Sequence, residues 1–192
     1  LQRQILFRTK DVDASKVERA EAALKALDPG VEVEALSLKA TADTLPDLLA
    51  DADLVLDGCD DFPTQFAVNR AAIKARIPLV SGAVGRWEGQ IGVFGPHLQD
   101  NAPCYQCWVP DIPPDAEDCA VMGVVGALTG VIGSMMAMEA IKLISGAGEP
   151  LIGRIGLYDG LSGRMRTVSL PASRSCPACA SDRTGTLRSP RA

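Results

Sequence analysis

The cysteines are the residues whose types and spacing point most directly to chemistry. Of six in the 192-residue chain, Cys104 and Cys107 form one C-x-x-C pair, Cys176 and Cys179 form a second, and Cys119 stands alone between the pairs. Two such pairs supply the four thiolates that Zn²⁺ favours in a closed, tetrahedral structural site. A redox C-x-x-C is expected at a helix start in a thioredoxin-like unit, and neither pair lies in one. We therefore predict structural zinc, with free thiols as the alternative.

Cys119 has two interpretations that its position does not separate. A lone cysteine is often a small, buried hydrophobic residue. Cys119 also precedes a long apolar segment, and the dipole of a helix there would lower the thiol pKa and favour a nucleophile. Nearby acids at Asp115, Glu117 and Asp118 act in the opposite direction. Both interpretations stay open from the residues alone.

Two adjacent acids, Asp60 and Asp61, follow a short apolar strand predicted over 53–57. Carboxylates at the end of a strand can hold Mg²⁺ beside a nucleotide, because Mg²⁺ takes one or two carboxylates plus phosphate oxygens. A helix N-cap followed by a second acid is the simpler interpretation, and the residues alone favour it. Arg3 and Lys16 could contact phosphates, although isolated basic residues are usually solvated.

The elements that must position these side chains alternate between helix and strand. Helices are predicted over 14–27, 44–50, 62–75 and 124–145. Strands are predicted over 31–36, 53–57, 78–83, 88–94, 154–159 and 165–170. The first half has the rhythm of an open parallel sheet with covered faces, and the last two strands form a hairpin. The predicted fold is α/β, a Rossmann-like, mainly parallel sheet with added antiparallel strands and a Cys₄ zinc site.

Charge and hydropathy limit the possible partners. The net charge of −5 and the absence of basic clusters argue against nucleic acid or an anionic membrane as the main partner. Residues 120–138 carry no charge and approach the length of a membrane span. Their glycines, and the charged Glu139 and Lys142 that continue the helical pattern, favour a helix buried in a soluble protein instead. Those glycines would let the sheet or a second subunit approach closely.

Several motifs together resemble the ThiF/MoeB/HesA adenylyltransferases, bacterial relatives of ubiquitin-activating enzymes, over residues 1 to about 182. They are Leu-Gln-Arg-Gln at the start, Asp-Gly-Cys-Asp at 57–60, Pro-Leu-Val-Ser-Gly at 78–82, Glu-Gly-Gln at 88–90 and the two C-x-x-C pairs. The resemblance implies that ATP and Mg²⁺ are used to adenylate the C-terminal Gly-Gly carboxylate of a ubiquitin-like sulfur-carrier protein. Sulfur then passes to the carrier for molybdopterin, thiamine or thiolated-tRNA synthesis.

The resemblance also assigns roles to individual residues. It implies that Arg3 contacts ATP phosphates, that Lys16 contacts the nucleotide, and that Asp60 holds Mg²⁺. It matches Cys119 to a cysteine that, in part of the family, links covalently to the carrier or takes part in sulfur transfer. The remaining matches are the four zinc ligands Cys104, Cys107, Cys176 and Cys179. Two positions depart from the family pattern: Asp61 stands in place of asparagine, and Gln65 in place of a common arginine.

The resemblance implies partners and boundaries as well. We expect a cytoplasmic homodimer formed through the glycine-rich helix, and a separate sulfur donor such as a cysteine desulfurase or sulfurtransferase. We expect an adenylyltransferase domain over 1–182 and a disordered tail over 183–192. The family's first strand, glycine-rich loop and second strand are expected before Leu1, so the domain is predicted to be N-terminally incomplete. The alternatives are a non-catalytic, zinc-containing carrier-binding or scaffold protein and, with less support, a nucleotide-dependent oxidoreductase.

Overall fold

The computed structural model describes residues 3–113 and 123–181. The chain divides into two compact units, Leu1–Lys39 and Ala40–Ala192. Each unit is described by itself below.

The first unit contains one helix. A 3₁₀ turn at Thr9–Asp11 precedes helix α1, Lys16–Leu27, which confirms the predicted helix. The predicted strand over 31–36 is wrong, because the backbone there is irregular. Alternating side chains make a segment able to form a strand, but a strand also needs a neighbour to accept and donate its backbone hydrogen bonds. No strand among the described residues pairs with this segment.

The second unit is built on a five-stranded mixed sheet in which the strands follow one another in chain order. The strands are β1 (Val55–Asp57), β2 (Leu79–Val84), β3 (Glu88–Phe94), β4 (Arg154–Asp159) and β5 (Arg164–Ser169). β1 and β2 are parallel, and β2–β3, β3–β4 and β4–β5 are antiparallel. The α/β fold with a mixed sheet is confirmed, as is the hairpin of β4 and β5. Among the described strands, however, three of the four pairings are antiparallel, where the sequence predicted a mainly parallel sheet.

Helices cover both faces of this sheet. They are α2 (Leu45–Leu48), α3 (Phe62–Ala75), α4 (Tyr105–Trp108) and α5 (Gly126–Ser145). Alternation along β2 sends Leu79 to a core shared with α2, α3 and α4, and sends Val80 to a second core formed with α5. The loop after β1 leads directly into α3, so α3 and α4 lie on the face that carries the candidate site.

Helix α5 packs against the sheet with one side only. The close approach comes from glycines of the sheet, because a Cβ on Gly82 or Gly89 would overlap side chains of α5. The helix's own Gly130 and Gly133 face open space instead. By length and composition, α5 is the one helix in the described segments that could cross a membrane, and 28% of its most apolar window is buried. The predicted helix is confirmed, and its burial is one-sided.

Candidate functional site

The four cysteines of the two C-x-x-C pairs converge on one point. Their Sγ atoms all lie within 4.8 Å of one another. The Sγ–Sγ distances are 3.9 Å for Cys104–Cys107, 3.5 Å for Cys104–Cys176 and 3.6 Å for Cys107–Cys179. A tetrahedral zinc with Zn–S bonds of about 2.3 Å places its ligand sulfurs about 3.8 Å apart. The thiol arrangement therefore fits a tetrahedral metal ion.

Neighbouring donors orient these sulfurs. Cys104 is the N-cap residue of α4, and the Nδ2 amide of Asn69 lies 3.7 Å from its Sγ. The backbone N–H of Ser173 donates to Cys107 Sγ at 3.4 Å. Such outer hydrogen bonds stabilise thiolate charge and fix ligand geometry in metal sites.

Hydrogen bonds among the thiols move the pKa values of Cys104 and Cys107 in opposite directions. Hydrogen bonds with Cys104 and Cys179, and the N–H of Ser173, lower the pKa of Cys107. Hydrogen bonds with Cys107 and Cys179, together with burial, raise the pKa of Cys104. Four packed thiols cannot all ionise beside one another unless a cation offsets the charge, and a bound divalent metal does so while releasing their protons.

The second part of the site is the acidic loop, residues 58–61, at the carboxyl end of β1. Asp57 is buried, and its Oδ1 accepts the Cys59 N–H at 2.9 Å. Asp61 is the N-cap of α3, and its Oδ1 accepts the Thr64 N–H at 2.9 Å. Asp60 is exposed between them. The prediction of an N-cap here is confirmed, but the cap is Asp61, the second of the two acids, and no acid lies in the first turn of α3. Both Asp60 and Asp61 are exposed.

The cysteine in this loop is not an activated nucleophile. Burial, a hydrogen bond with Asp57 and the nearby carboxylates raise the pKa of the Cys59 thiol to about 12. The thiolate is the reactive form of cysteine, so at neutral pH Cys59 stays protonated and unreactive.

Three buried polar side chains connect the loop to the cysteine cluster, and the sequence analysis did not identify this role for them. Gln65 Nε2 donates to the carbonyl of Cys59 at 3.0 Å, and its Oε1 accepts the Tyr105 hydroxyl at 2.9 Å. Asn69 Oδ1 accepts the Tyr105 backbone N–H at 2.9 Å. Gln65 and Asn69 lie four residues apart and therefore on one face of α3. Two amide side chains at that spacing among apolar residues were the sequence signal that could have indicated a buried hydrogen-bond network.

A second buried polar feature lies beside this network. Asp57 Oδ2 is buried without a hydrogen-bond partner among the described residues. Burial and the Asp57 charge raise the pKa of Tyr105, so the phenol remains a hydrogen-bond donor. A buried carboxylate oxygen without a partner costs free energy, which marks this strand end as specialised.

The remaining predicted residues lie outside the described part of the second unit. Arg3 and Lys16 belong to the first compact unit, where Lys16 is the first residue of α1. Their contacts with a nucleotide stay predictions. Cys119 lies outside the described residues, so neither interpretation of it is tested.

Comparison with known proteins identifies what this arrangement resembles. The pattern of the ThiF family matches residues 1–178. A sulfur carrier protein adenylyltransferase of Thermus thermophilus is 41% identical over 188 residues, which are 96% of this chain and 69% of that protein. The molybdopterin-synthase adenylyltransferase of Escherichia coli is 39% identical over 179 residues, covering 93% of this chain and 71% of that protein.

A solved structure with the same fold is E. coli MccB in complex with MccA-N7isoASN. It superposes with a TM-score of 0.77 at 18% identity, over 93% of this chain and 55% of MccB. That likeness supports the fold alone. The chain spans about half of MccB and about 70% of the two curated relatives.

Proposed function

This chain belongs to the ThiF family, and from that premise we propose that it is an adenylyltransferase acting on a ubiquitin-like sulfur-carrier protein. The observation that carries the proposal is the pairing of two features in one unit. One is a four-cysteine cluster of zinc-binding dimensions, and the other is an exposed acid, Asp60, at the carboxyl end of a parallel strand. Ligands of open α/β sheets bind at that end of the strands.

The proposed reaction is acyl adenylation. A carboxylate oxygen of the carrier's terminal glycine attacks the α-phosphorus of ATP and forms an acyl–oxygen–phosphorus bond. The bond between the α-phosphorus and the bridging oxygen to the β-phosphate breaks, and pyrophosphate leaves with the electron pair. Mg²⁺ supplies charge neutralisation for the phosphates when bound. Sulfide-level sulfur supplied by a separate donor protein then attacks the acyl carbon, and the bond from that carbon to the phosphate oxygen breaks and releases AMP. The resulting thiocarboxylate serves molybdopterin, thiamine or thiolated-tRNA synthesis in the cytoplasm.

The residues of this chain have distinct proposed roles in that reaction. Asp60 holds Mg²⁺ and so positions the phosphates, while Asp61 holds the start of α3 and contributes charge nearby. Arg3 and Lys16 contact the nucleotide, and Cys119 takes part in a covalent or sulfur-transfer step with the carrier. Zn²⁺ is structural: the four thiolates close its coordination sphere and leave no open position for chemistry.

We also propose that the protein is a homodimer. The outward side of α5 carries large apolar side chains in solvent, with Met138, Ile141 and Ile144 at 57%, 55% and 74% exposure. Gly130 and Gly133 lie on the helix with open space above them, which would let a second helix approach closely. Sedimentation equilibrium tests this: an Ile144→Asp variant is expected to be monomeric at concentrations where the wild-type protein is dimeric.

The deciding experiment is ATP–pyrophosphate exchange in the presence of a carrier that ends in Gly-Gly. We expect exchange that requires the carrier and disappears when its last two glycines are removed. Asp60→Asn is expected to weaken exchange by raising the KM for Mg-ATP about tenfold or more, whereas Asp53→Asn, an exposed acid just before β1, should leave it unchanged. Carrier binding without any exchange would favour the non-catalytic scaffold instead. Cys119→Ser should keep its zinc and the exchange reaction and lose only a later transfer step.

A further inference from the structure

The buried network between the cysteine cluster and the acidic loop runs through a single glutamine. The Tyr105 hydroxyl donates to Gln65, and Gln65 donates to the Cys59 carbonyl, with both distances at or below 3.0 Å. Cys59 is the residue directly before Asp60. Tyr105 in turn lies directly after Cys104, inside the first C-x-x-C pair. Two hydrogen bonds therefore connect Tyr105, the residue after Cys104, to Cys59, the residue before Asp60.

The side chains that form the network are buried. Tyr105 and Gln65 are 2% and 4% exposed, so neither can exchange its hydrogen bond for one with bulk water. The Tyr105 ring packs edge-on against Phe94 of β3, with ring centroids 5.6 Å apart. Asn69, which is 1% exposed, accepts the backbone N–H of Tyr105 with its Oδ1 and so holds the main chain of that residue. Buried polar groups held in this way specify a single arrangement, because any other leaves a donor or acceptor unpaired.

The part of the loop before Asp60 has few other restraints, whereas Asp61 after it is held as the N-cap of α3. A Cβ added at Gly58 would meet no other atom within 4 Å, and Asp60 is exposed. The Asp57 carboxylate holds the Cys59 N–H, and the Gln65 amide holds the Cys59 carbonyl. The backbone orientation before Asp60 therefore depends on two hydrogen bonds of Cys59. Asp57 at the end of β1 holds its N–H, and Gln65 of α3 holds its carbonyl.

We propose that Tyr105 and Gln65 are positioning residues for Asp60, and that metal binding at the cysteine cluster orders the acidic loop through them. A metal held by the four sulfurs, which already lie within 4.8 Å of one another, would fix the Cys104–Cys107 segment and with it Tyr105. Tyr105 then holds the Gln65 amide in the one orientation that bonds Cys59. The structural metal and the nucleotide site are thus energetically coupled through α3. The kinetic part of this inference rests on the proposed function, whereas the coupling itself does not.

The test uses Tyr105→Phe and Gln65→Met, which remove the hydrogen bonds and keep the approximate shape. Tyr158→Phe is the matched control, because Tyr158 is the other tyrosine of the chain and lies on β4. Hydrogen–deuterium exchange of a peptide covering 57–61 reports loop order without any activity. We expect Tyr105→Phe to speed amide exchange there about fivefold, the factor that corresponds to the loss of one buried hydrogen bond of average strength.

Kinetics and metal content separate positioning from a merely structural role. Tyr105→Phe and Gln65→Met should each raise the KM for Mg-ATP with little change in kcat, while zinc content stays at that of the wild type. The double variant should be no worse than the poorer single variant, because both changes break one path. Equal effects of Tyr105→Phe and Tyr158→Phe on the 57–61 peptide would overturn the proposal, as would strictly additive effects.

A second measurement needs no variant and uses the β4–β5 hairpin to report whether the fold survives metal removal. Removing metal from the wild-type protein with a chelator should speed exchange in peptide 57–61 and leave the β4–β5 hairpin unchanged. Unchanged exchange at 57–61 on metal removal would overturn the coupling. If the wild-type protein shows no ATP–pyrophosphate exchange, the proposed function fails. The two hydrogen–deuterium exchange measurements on peptide 57–61 then still decide whether the cysteine cluster and the acidic loop are coupled.

Discussion

Asp60 and Asp61 are adjacent exposed acids with different expected roles, and replacing each one separates those roles. Asp61 caps α3, and asparagine caps helices about as well as aspartate. Asp61→Asn should therefore lose only the charge–dipole part of the cap, about 0.5 kcal/mol of unfolding free energy. Asp61→Ala loses the cap itself and should cost about 1 kcal/mol or slightly more. Asp60→Asn should stay within about 0.5 kcal/mol of the wild type, as exposed substitutions usually do.

The variants are expected to rank differently in their affinity for Mg-ATP than in their stability. Because Asp61 is exposed, its charge acts on Mg-ATP through water, and at roughly 8 Å a unit charge and a net charge of about −2 repel by about 1 kcal/mol. Screening over a Debye length of about 8 Å reduces this to about 0.4 kcal/mol, or about twofold in affinity. Asp61→Asn should thus lower the KM for Mg-ATP about twofold. Asp60→Asn should raise it about tenfold or more, since even outer groups of metal sites contribute that much.

Urea unfolding and pyrophosphate exchange on the same three variants measure both quantities. The reasoning predicts that stability follows the order Asp60→Asn, Asp61→Asn, Asp61→Ala, from least to most destabilised. It predicts that only Asp60→Asn loses nucleotide binding. The assignment of Asp60 would be refuted if Asp60→Asn bound Mg-ATP normally. The cap would be refuted if Asp61→Ala and Asp61→Asn unfolded at the same urea concentration.

Three further predictions concern other parts of the second unit. Metal analysis should find about one Zn per chain, and Cys104→Ser should lose the metal and unfold more easily, because a structural zinc contributes directly to folding. Gly89→Ala should destabilise by about 1–3 kcal/mol, since its Cβ would lie 2.5 Å from Ile132, whereas Gly130→Ala, with open space, should not destabilise the monomer. NMR titration should find the Asp159 pKa below 3.8, and the hydrogen bond from the Ser162 hydroxyl is the first cause of this lowering. Ser162→Ala should therefore raise the pKa of Asp159. In the wild-type protein the turn should loosen only as pH falls through that lowered pKa.

Several features of the fold could be predicted from sequence because their signals are local. The helix at 62–75 begins after a capping acid and carries proline in its first turn, and the structure places it at Phe62–Ala75. The strand at 88–94 was predicted with its observed bounds, and it contains the β-branched Ile91 and Val93 and the aromatic Phe94, which are residue types enriched in strands. The pairing of the two C-x-x-C motifs also followed from residue types, because four thiolates are what tetrahedral zinc requires.

Other features depended on contacts between distant segments. The segment 31–36 has a strand pattern and no strand partner, and no local signal reports the presence of a neighbour. The side of α5 that meets the sheet was decided by Gly82 and Gly89, which are far from the helix in sequence.

The sequence by itself determined the chemistry of the protein: which thiols can hold a metal, which acids can hold a cation, and which family motifs they form. Only the tertiary structure decided that Asp61 caps a helix while Asp60 remains exposed, and that Tyr105, Gln65 and Asn69 join the two centres. Tyr105 is 40 residues from Gln65. Hydrogen bonds over such separations arise when packing brings two buried groups together, and a pattern of neighbouring residue types does not encode them.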